Sequence, residues 1–184
     1  MAIEKHTTES IVINYFDNGE NDRVYKFFTR DYGMIFVHAK SIRKLESKLR
    51  SHLLVGRKSL ITIVKGREVW RLTGAESVSK KSDFLSETAV LLERFVRGEG
   101  AYKKLFDKIL EIDDKKDSFD KNKTKILLYY IILVDLGFAD ANVIGAKSLK
   151  EYVSFSVDDL YTHLLLNFSA VKSHLHSVLK EMQF

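Results

Sequence analysis

The sequence contains no cysteine and no proline among its 184 residues. Without cysteine, the chain cannot form disulfides, cysteine-ligated zinc sites or thiol nucleophiles, which fits a reducing compartment. The first ten residues, MAIEKHTTES, lack the apolar core of a signal peptide. The most apolar run, ILLYYIILVDLG from Ile126, is too short to span a bilayer and predicts a buried core helix. We therefore expect a cytoplasmic protein with no membrane contact.

Motifs for nucleotide and metal chemistry are also missing. The sequence has no Walker A motif, no GxGxxG and no HExxH. His174 and His176 are two residues apart, which on a helix prevents them from sharing a metal, and His163 stands alone on an apolar helix. No serine has the histidine and acid context of a nucleophile. We predict a non-enzymatic protein without cofactor or metal.

The first 75 residues have the pattern of five short β-strands, with a helix between the third and the fourth. The strands are predicted at residues 9–16, 24–29, 34–39, 60–64 and 69–73, and the second and third are joined by a hairpin at residues 30–33. Apolar residues at helical spacing predict a helix over residues 41–54. Those residues are Ile42, Leu45, Leu49 and Leu53.

After residue 77 the pattern becomes helical. Ser82 is the predicted N-cap of a first helix that Gly98 closes, and a second helix is expected around residues 102–110. A solvated loop at residues 113–123, which rejoins helix near its end, leads to a third helix that stops at Gly137. Residues 138–155 are weakly patterned, Ser156 is a predicted N-cap, and a last helix over residues 170–182 has Ser169 as its cap. The predicted fold is α+β, with domains at residues 1–77 and 78–184.

Positive charge is concentrated in the second half of the β region. Residues 40–71 contain ten basic and two acidic side chains, a net charge of +8, whereas the rest of the chain has 20 basic and 23 acidic residues, a net charge of −3. Five strands with a helix between the third and fourth match the OB-fold barrel, which commonly binds single-stranded nucleic acid with a positive groove and stacking aromatics. Tyr32, Phe36 and Trp70 are candidate stacking residues, although packing in the core is the more common role of such side chains.

The run NGENDRVYKFFTRDYGMIFVHAKSIRK, residues 18–44, resembles the start of the bacterial DNA repair protein family RecO. That family shows a Gly-Glu-x-Asp turn, a strand, Phe-Thr-Arg-(Glu/Asp)-x-Gly, a second strand and then Ala-Lys-Gly with basic residues. The helix LLYYIILVDLGF, residues 127–138, is similar to the family's leucine-rich helix ending in Leu-Gly-(Tyr/Phe). The matching positions are Gly19, Glu20, Asp22, Phe28, Thr29, Arg30, Asp31, Gly33, Ala39 and Lys40.

The resemblance implies a recombination mediator with an N-terminal OB domain and a helical domain. Such proteins bind single- and double-stranded DNA at the nucleoid, anneal complementary strands, bind the acidic C-terminal tail of single-stranded-DNA-binding protein, and work with RecR to load RecA without a nucleotide cofactor. Many members carry a four-cysteine zinc module after the Leu-Gly helix, but residues 139–155 contain no cysteine. The family's Gly-Ala after Lys40 is replaced by Ser41 and Ile42.

Three functions are therefore open. In the first, basic side chains bind DNA phosphates without sequence preference. In the second, the chain is a protein-interaction adaptor of the repair machinery, with lysines such as Lys103, Lys104 or Lys121 binding the acids of a partner tail. In the third, it is an RNA-binding OB protein. The predicted DNA contacts are Arg30, Lys40, Arg43, Lys44, Lys48, Arg50, Arg57, Lys58, Lys65, Arg67 and Arg71.

Overall fold

The computed structural model describes residues 4–66 and 69–182. The chain divides into two compact units between Phe106 and Asp107. The first unit contains all five strands and the first helix of the chain, and the second is helical. The domain boundary that the sequence predicts after residue 77 stays a prediction.

The five predicted strands are present and form a closed barrel. They are β1 (Lys5–Asn18), β2 (Asp22–Thr29), β3 (Gly33–Ala39), β4 (Lys58–Lys65) and β5 (Trp70–Ser77). Their order around the barrel is β1-β2-β3-β5-β4, and β1 also pairs with β4. Neighbouring pairs are antiparallel except β3 and β5, which pair in parallel. This is the OB-fold architecture, so the predicted α+β fold with an N-terminal OB barrel is confirmed.

Alternation along the strands fills the barrel with apolar side chains. Phe27 and Val37 are fully buried, as are Ile61 and Ile63 on β4, and all belong to one core cluster. Residues that alternate with them point outward, because successive side chains in a strand face opposite sides of the sheet. Each fully buried side chain of this size contributes about 1.5–3 kcal/mol through the hydrophobic effect.

The hairpin between β2 and β3 is fixed by one hydroxyl and one glycine. The Thr29 hydroxyl donates to the Gly33 carbonyl at 2.9 Å and accepts the Tyr32 N–H at 3.1 Å. Gly33 has a φ of +70°, and a Cβ at this position would lie 2.2 Å from the Gly100 carbonyl oxygen. Only glycine fits here, because the backbone angle and the close approach both exclude a side chain.

The helix predicted over residues 41–54 is wrong. The segment consists of turns with a single 3-10 turn at Arg50–His52, and Ser41 starts it with a left-handed φ of 56°. Ile42 and Leu53 are buried in the barrel core, whereas Leu45 is 99% exposed. The apolar residues at helical spacing therefore do not form a continuous helical face. Two of them anchor a loop to the barrel core, and we call this loop the basic loop (residues 40–57).

The remaining chain forms six helices within the described residues. Ser82 caps α1, as predicted, by accepting the Leu85 N–H. The helix ends at Phe95 because Val96 is extended, so Gly98 lies beyond the end and does not close it. The helices are α1 (Asp83–Phe95), α2 (Lys103–Lys115), α3 (Lys121–Asp135), α4 (Leu149–Ser154), α5 (Val157–Leu166) and α6 (Phe168–Glu181).

The other helix ends agree with the sequence in part. Ser156 forms a capping box with Asp159, as expected, and α3 stops before Gly137, whose φ is +79°. Ser169 is not a cap, because α6 begins one residue before it and its N-cap is Asn167. The predicted loop at residues 113–123 is largely helical, and the weakly patterned stretch contains a 3-10 turn and α4. No described helix is long and apolar enough to cross a membrane.

Candidate nucleic-acid interface

The outer face of β1, β2 and β3 is the surface on which OB-folds usually bind their ligands. Two cross-strand rows lie there. In one row Phe16 faces Val24, which faces His38. In the next row Asn14 faces Lys26, which faces Phe36.

Half of this outer face is covered by the segment that follows the barrel. Phe28 and Met34 are buried, and the Phe28 ring packs 5.7 Å from Phe106 and 6.2 Å from Tyr102. The other half is open. Phe16 and Phe36 are 53% and 52% exposed, and their ring centroids are 6.4 Å apart. We call these two rings the aromatic platform.

Polar groups surround the platform. The Lys26 ammonium lies 5.5 Å from the Phe36 ring centroid and 3.4 Å from the Glu93 carboxylate. On the other side, His38 Nε2 lies 3.2 Å from the Asp22 carboxylate and 3.2 Å from the Asn18 amide nitrogen. Exposed aromatic rings with a cation over one face form the kind of surface on which nucleic-acid bases stack.

The basic loop is tied to the turn between β1 and β2 at the end of the platform. The Ser41 N–H donates to Asp22 Oδ1 at 2.7 Å. The Arg43 N–H donates to the Asn21 carbonyl, and its guanidinium donates to the Gly19 carbonyl, each at 3.0 Å. The loop therefore leaves β3 beside His38 and holds its first cations near the open half of the face.

Asp17 neutralises part of this charge. It accepts a hydrogen bond from Arg23 at 2.8 Å and lies 3.4 Å from the Arg43 guanidinium. The Arg23 hydrogen bond, assisted by Arg43, lowers the pKa of Asp17 below its usual value, so the carboxylate stays ionised at neutral pH. The charge of Arg43 is therefore partly neutralised by Asp17.

Three lysines of the basic loop have no such partner. Lys40, Lys44 and Lys48 are exposed, and none of them forms an ion pair with an acid in the part of the chain that the structure describes. An exposed, unpaired ammonium can replace the counterions of a phosphate backbone without first breaking a protein contact. We call these three residues the free lysines, and they remain candidates for phosphate contacts.

Other predicted contacts are partly occupied by contacts inside the protein. Lys58 pairs with Glu9 at 2.7 Å, and Lys65 lies 3.5 Å from Glu99. The Arg57 guanidinium donates to the Ser51 carbonyl at 2.5 Å. Among the rest, Arg30 lies half-buried in the hairpin, Arg50 and Arg71 are exposed, and Arg67 lies outside the described residues.

The predicted stacking residues separate into two groups. Trp70 is only 5% exposed and donates its indole N–H to Glu99 at 3.1 Å. Tyr32 is half-buried with its ring 5.2 Å from Trp70. Phe36 alone of the three is open to solvent. Phe16 was not identified from the sequence as a candidate stacking residue, although its cross-strand neighbours were already assigned to strands.

Two of the three candidate histidines form contacts inside the helical unit. Within the described residues, no three histidine, aspartate or glutamate side chains come together to hold a metal. His174 accepts the Asp140 N–H at 3.1 Å, and His163 stacks on Phe155 with centroids 4.6 Å apart.

The lysines considered for a partner tail differ in their surroundings. Lys103 pairs with Asp31 at 3.2 Å, whereas Lys104 and Lys121 are exposed. In the helical unit, Lys108 is buried over the Tyr152 ring at 4.1 Å and 3.6 Å from Asp135. Burial raises the pKa of Tyr152 far above its usual value, so this phenol stays neutral.

Comparison with known proteins gives a family match for the residues that form the barrel. Residues 1–80 match the family described as "Recombination protein O N terminal". The chain is 30% identical over 95 residues to the DNA repair protein RecO of Dehalococcoides mccartyi strain CBDB1, which covers 52% of this chain and 38% of that protein. It is 34% identical over 71 residues to RecO of strain ATCC BAA-2266 / KCTC 15142 / 195, which covers 39% of this chain and 28% of that protein.

The alignments thus span less than two fifths of the length of these relatives, and the family match over residues 1–80 coincides with the barrel. The barrel order and the family match agree for this part of the chain. The N-terminal barrel is therefore similar to the N-terminal domain of the RecO family.

Proposed function

We propose that this chain is a DNA-binding mediator of repair and recombination. The observation that carries the proposal is the open half of the barrel's outer face, where Phe16 and Phe36 stand exposed beside the basic loop. The aromatic rings provide stacking surfaces, and the free lysines provide phosphate contacts. Both kinds of contact ignore base identity, so binding is expected to be independent of sequence.

We propose that the same surface supports the annealing of complementary strands. Two DNA strands repel each other through their phosphates, and cations bound along one strand reduce this repulsion. If one strand is held by phosphate contacts and by stacking at only two rings, most of its bases remain free to pair. Double-stranded DNA binds through the phosphate contacts alone. No step needs a nucleotide cofactor or a catalytic residue.

Partners follow from the family and are part of the proposal. The relatives are DNA repair proteins named RecO. We propose that this chain, like the family it resembles, acts with RecR and with the C-terminal tail of single-stranded-DNA-binding protein to load recombinase, in the cytoplasm at the nucleoid. Co-purification with each protein separately tests this part.

The binding experiment reverses the charge of the free lysines. Lys40, Lys44 and Lys48 are replaced together by Glu, and affinity for a labelled oligothymidylate is measured by fluorescence anisotropy. We expect affinity to fall by about tenfold or more at moderate salt, because three phosphate contacts become repulsive. The matched control reverses Lys147, Lys150 and Lys172, which are exposed lysines of the helical unit.

The control separates a local contact from the effect of net charge. Both triple variants change the net charge equally, so an equal loss in both would contradict a binding site in the basic loop. Competition with RNA of the same sequence then tests the RNA-binding OB function. Contacts to phosphates and base faces alone predict equal competition by RNA and DNA, whereas much stronger competition by RNA would indicate a contact to the 2′-hydroxyl and favour the RNA-binding function.

A second function has one specific observation in its favour. Lys26, Arg43, Lys58 and Lys65 each lie close to an acid, so the positive surface is smaller than the count of basic residues predicts. A chain with little DNA affinity could still serve as an adaptor for repair proteins. Recovery of RecR or single-stranded-DNA-binding protein, with no binding to oligonucleotides at low salt, would support this function over the first.

A further inference from the structure

A cleft lies at the mouth of the barrel, on the inner side of the β1–β2 hairpin and apart from the aromatic platform. Its volume is about 260 Å³. Tyr15 and Phe16 are neighbours in β1, so Tyr15 faces the barrel mouth while Phe16 faces outward. The lining residues are Tyr15, Arg23, Arg50, Leu53, Leu54, Val55 and Lys81.

The lining combines three cations with apolar surface and contains no acid. Arg23 lies 4.1 Å from the centroid of the Tyr15 ring and pairs with Asp17, so its position is fixed by contacts in the protein. Arg50 and Lys81 are exposed, and neither forms an ion pair with an acid among the described residues. The cleft therefore has two cations available for an anionic ligand.

Behind Tyr15, the fully buried Tyr25 closes the cleft toward the barrel interior. The Tyr25 ring lies 5.5 Å from the Tyr15 ring. Burial raises the pKa of Tyr25, and the neighbouring Arg23 guanidinium opposes this rise, so the hydroxyl keeps its proton at neutral pH. The charge in the cleft is therefore positive, which favours a ligand with an anionic group.

The size and chemistry together restrict the ligand. The volume is at or just below the small end of ligand pockets, roughly 300–1,000 Å³. It suits a single planar ring with one charged group. Leu54 and the Tyr15 ring, which are 43% and 39% exposed, offer apolar surface for the ring of the ligand, and Arg50 and Lys81 offer donors for its charged group.

We propose that this cleft binds one nucleotide of a DNA strand, with the base on Tyr15 and Leu54 and the phosphate between Arg50 and Lys81. The proposal rests on the proposed DNA-binding function and adds a second contact to it. The cleft and the platform lie on opposite faces of the same hairpin. The barrel can therefore hold two segments of nucleic acid at once, one on each face.

The experiment titrates the 184-residue chain with thymidine 5′-monophosphate and follows the NMR signals of Leu54 and Tyr15. Thymidine and inorganic phosphate are titrated in parallel. We expect saturable chemical-shift changes at both residues with the monophosphate, and weaker changes with thymidine or inorganic phosphate alone. Arg50→Ala and Lys81→Ala should each weaken binding of the monophosphate about two- to fivefold, while Arg97→Ala, a matched change of an exposed arginine outside the cleft, should have no effect.

The outcomes separate this inference from the function on which it rests. If the monophosphate causes no saturable shift in the cleft while oligothymidylate still binds, the second contact is refuted and the proposed function stands. If inorganic phosphate shifts the same signals equally well, the nucleotide assignment is also refuted. If neither the monophosphate nor oligothymidylate binds, the proposed function itself fails. An acidic peptide that displaces bound monophosphate more strongly than oligothymidylate does would overturn the assignment to DNA.

Discussion

Replacing Phe36 with alanine should weaken binding to single-stranded DNA without unfolding the barrel. The ring is 52% exposed on the outer face, so only about half of its surface packs against neighbouring side chains, and the expected loss of unfolding free energy is about 1 kcal/mol. Stacking of one base on an aromatic ring contributes about 1–3 kcal/mol to binding. Since about 1.4 kcal/mol equals a factor of ten, Phe36→Ala should reduce affinity roughly 5- to 150-fold.

The assay is fluorescence anisotropy with a labelled oligothymidylate of roughly 12 nucleotides, within the length that one OB barrel covers. Val90→Ala is the matched control, because Val90 is an apolar side chain of the same unit that is 66% exposed and lies on α1. Urea denaturation of each variant shows that the fold is retained. A control that loses as much affinity as Phe36→Ala would contradict a local role of the ring.

Phe16 extends the same test. If Phe16 and Phe36 stack on successive bases, the losses of the two single variants should add in the double variant. If one base contacts both rings, whose centroids are 6.4 Å apart, the double variant should lose less than the sum by more than about 0.5 kcal/mol. Wild-type affinity in both single variants would refute the platform.

Three further predictions concern the barrel itself. Phe27→Ala, a truncation at a fully buried position, should cost about 3–5 kcal/mol in urea denaturation, and a loss below about 1 kcal/mol would contradict the core assignment. Gly33→Ala should destabilise the barrel far more than Gly19→Ala. Both glycines have a φ of +70°, but only at Gly33 would the new Cβ clash with backbone atoms, those of Gly100. Equal melting temperatures of the two variants would refute this. The Thr8 hydroxyl donates a hydrogen bond to the Asp31 carboxylate at 2.7 Å. This bond, and to a smaller extent Lys103, lowers the pKa of Asp31 in the folded state. The ionised Asp31 therefore stabilises the fold fully above its unfolded-state pKa, and this stabilisation is lost as pH falls through the lower folded-state pKa. Thr8→Val should therefore be less stable than the wild type at neutral pH, with a difference that narrows as pH falls below about 4, and a constant difference would show that Asp31 is not its source.

The barrel could be predicted from the sequence because its determinants are local. Residues 24–29 and 34–39 were placed in strands by their apolar pattern, and both lie inside the observed strands. The turn residues between them fixed the hairpin, where Gly33 has a conformation that glycine adopts without strain. Ser82 and Ser156 were identified as caps for the same reason, since a cap acts within three residues.

The basic loop shows where local patterns fail. Ile42, Leu45 and Leu53 have helical spacing, but the core accepts the first and the last of them and leaves Leu45 in solvent. The left-handed backbone at Ser41, held by its hydrogen bond to Asp22, starts a turn instead of a helix. A contact with a turn about 20 residues away in the sequence therefore decided this conformation.

The candidate site was harder to predict than the fold, because it depends on which partners the strands bring together. Lys58 pairs with Glu9 across 49 positions, and Lys65 lies beside Glu99 across 34. Spacing in the sequence cannot show that these cations are partly neutralised while Lys44 and Lys48 remain free. Phe16 was missed because the register between β1 and β2, including the bulge after Val12, determines which face it occupies.

The central claim is that the barrel binds a polyanion through unpaired cations, and the salt dependence of binding tests it most directly. Affinity for oligothymidylate is measured by anisotropy at a series of salt concentrations. Contacts from Lys40, Lys44 and Lys48 alone predict that log K falls with log salt at a slope of about −2, and participation of Arg50 and Arg71 steepens it to about −3.5. A slope near zero, or the absence of binding at low salt, would contradict the account.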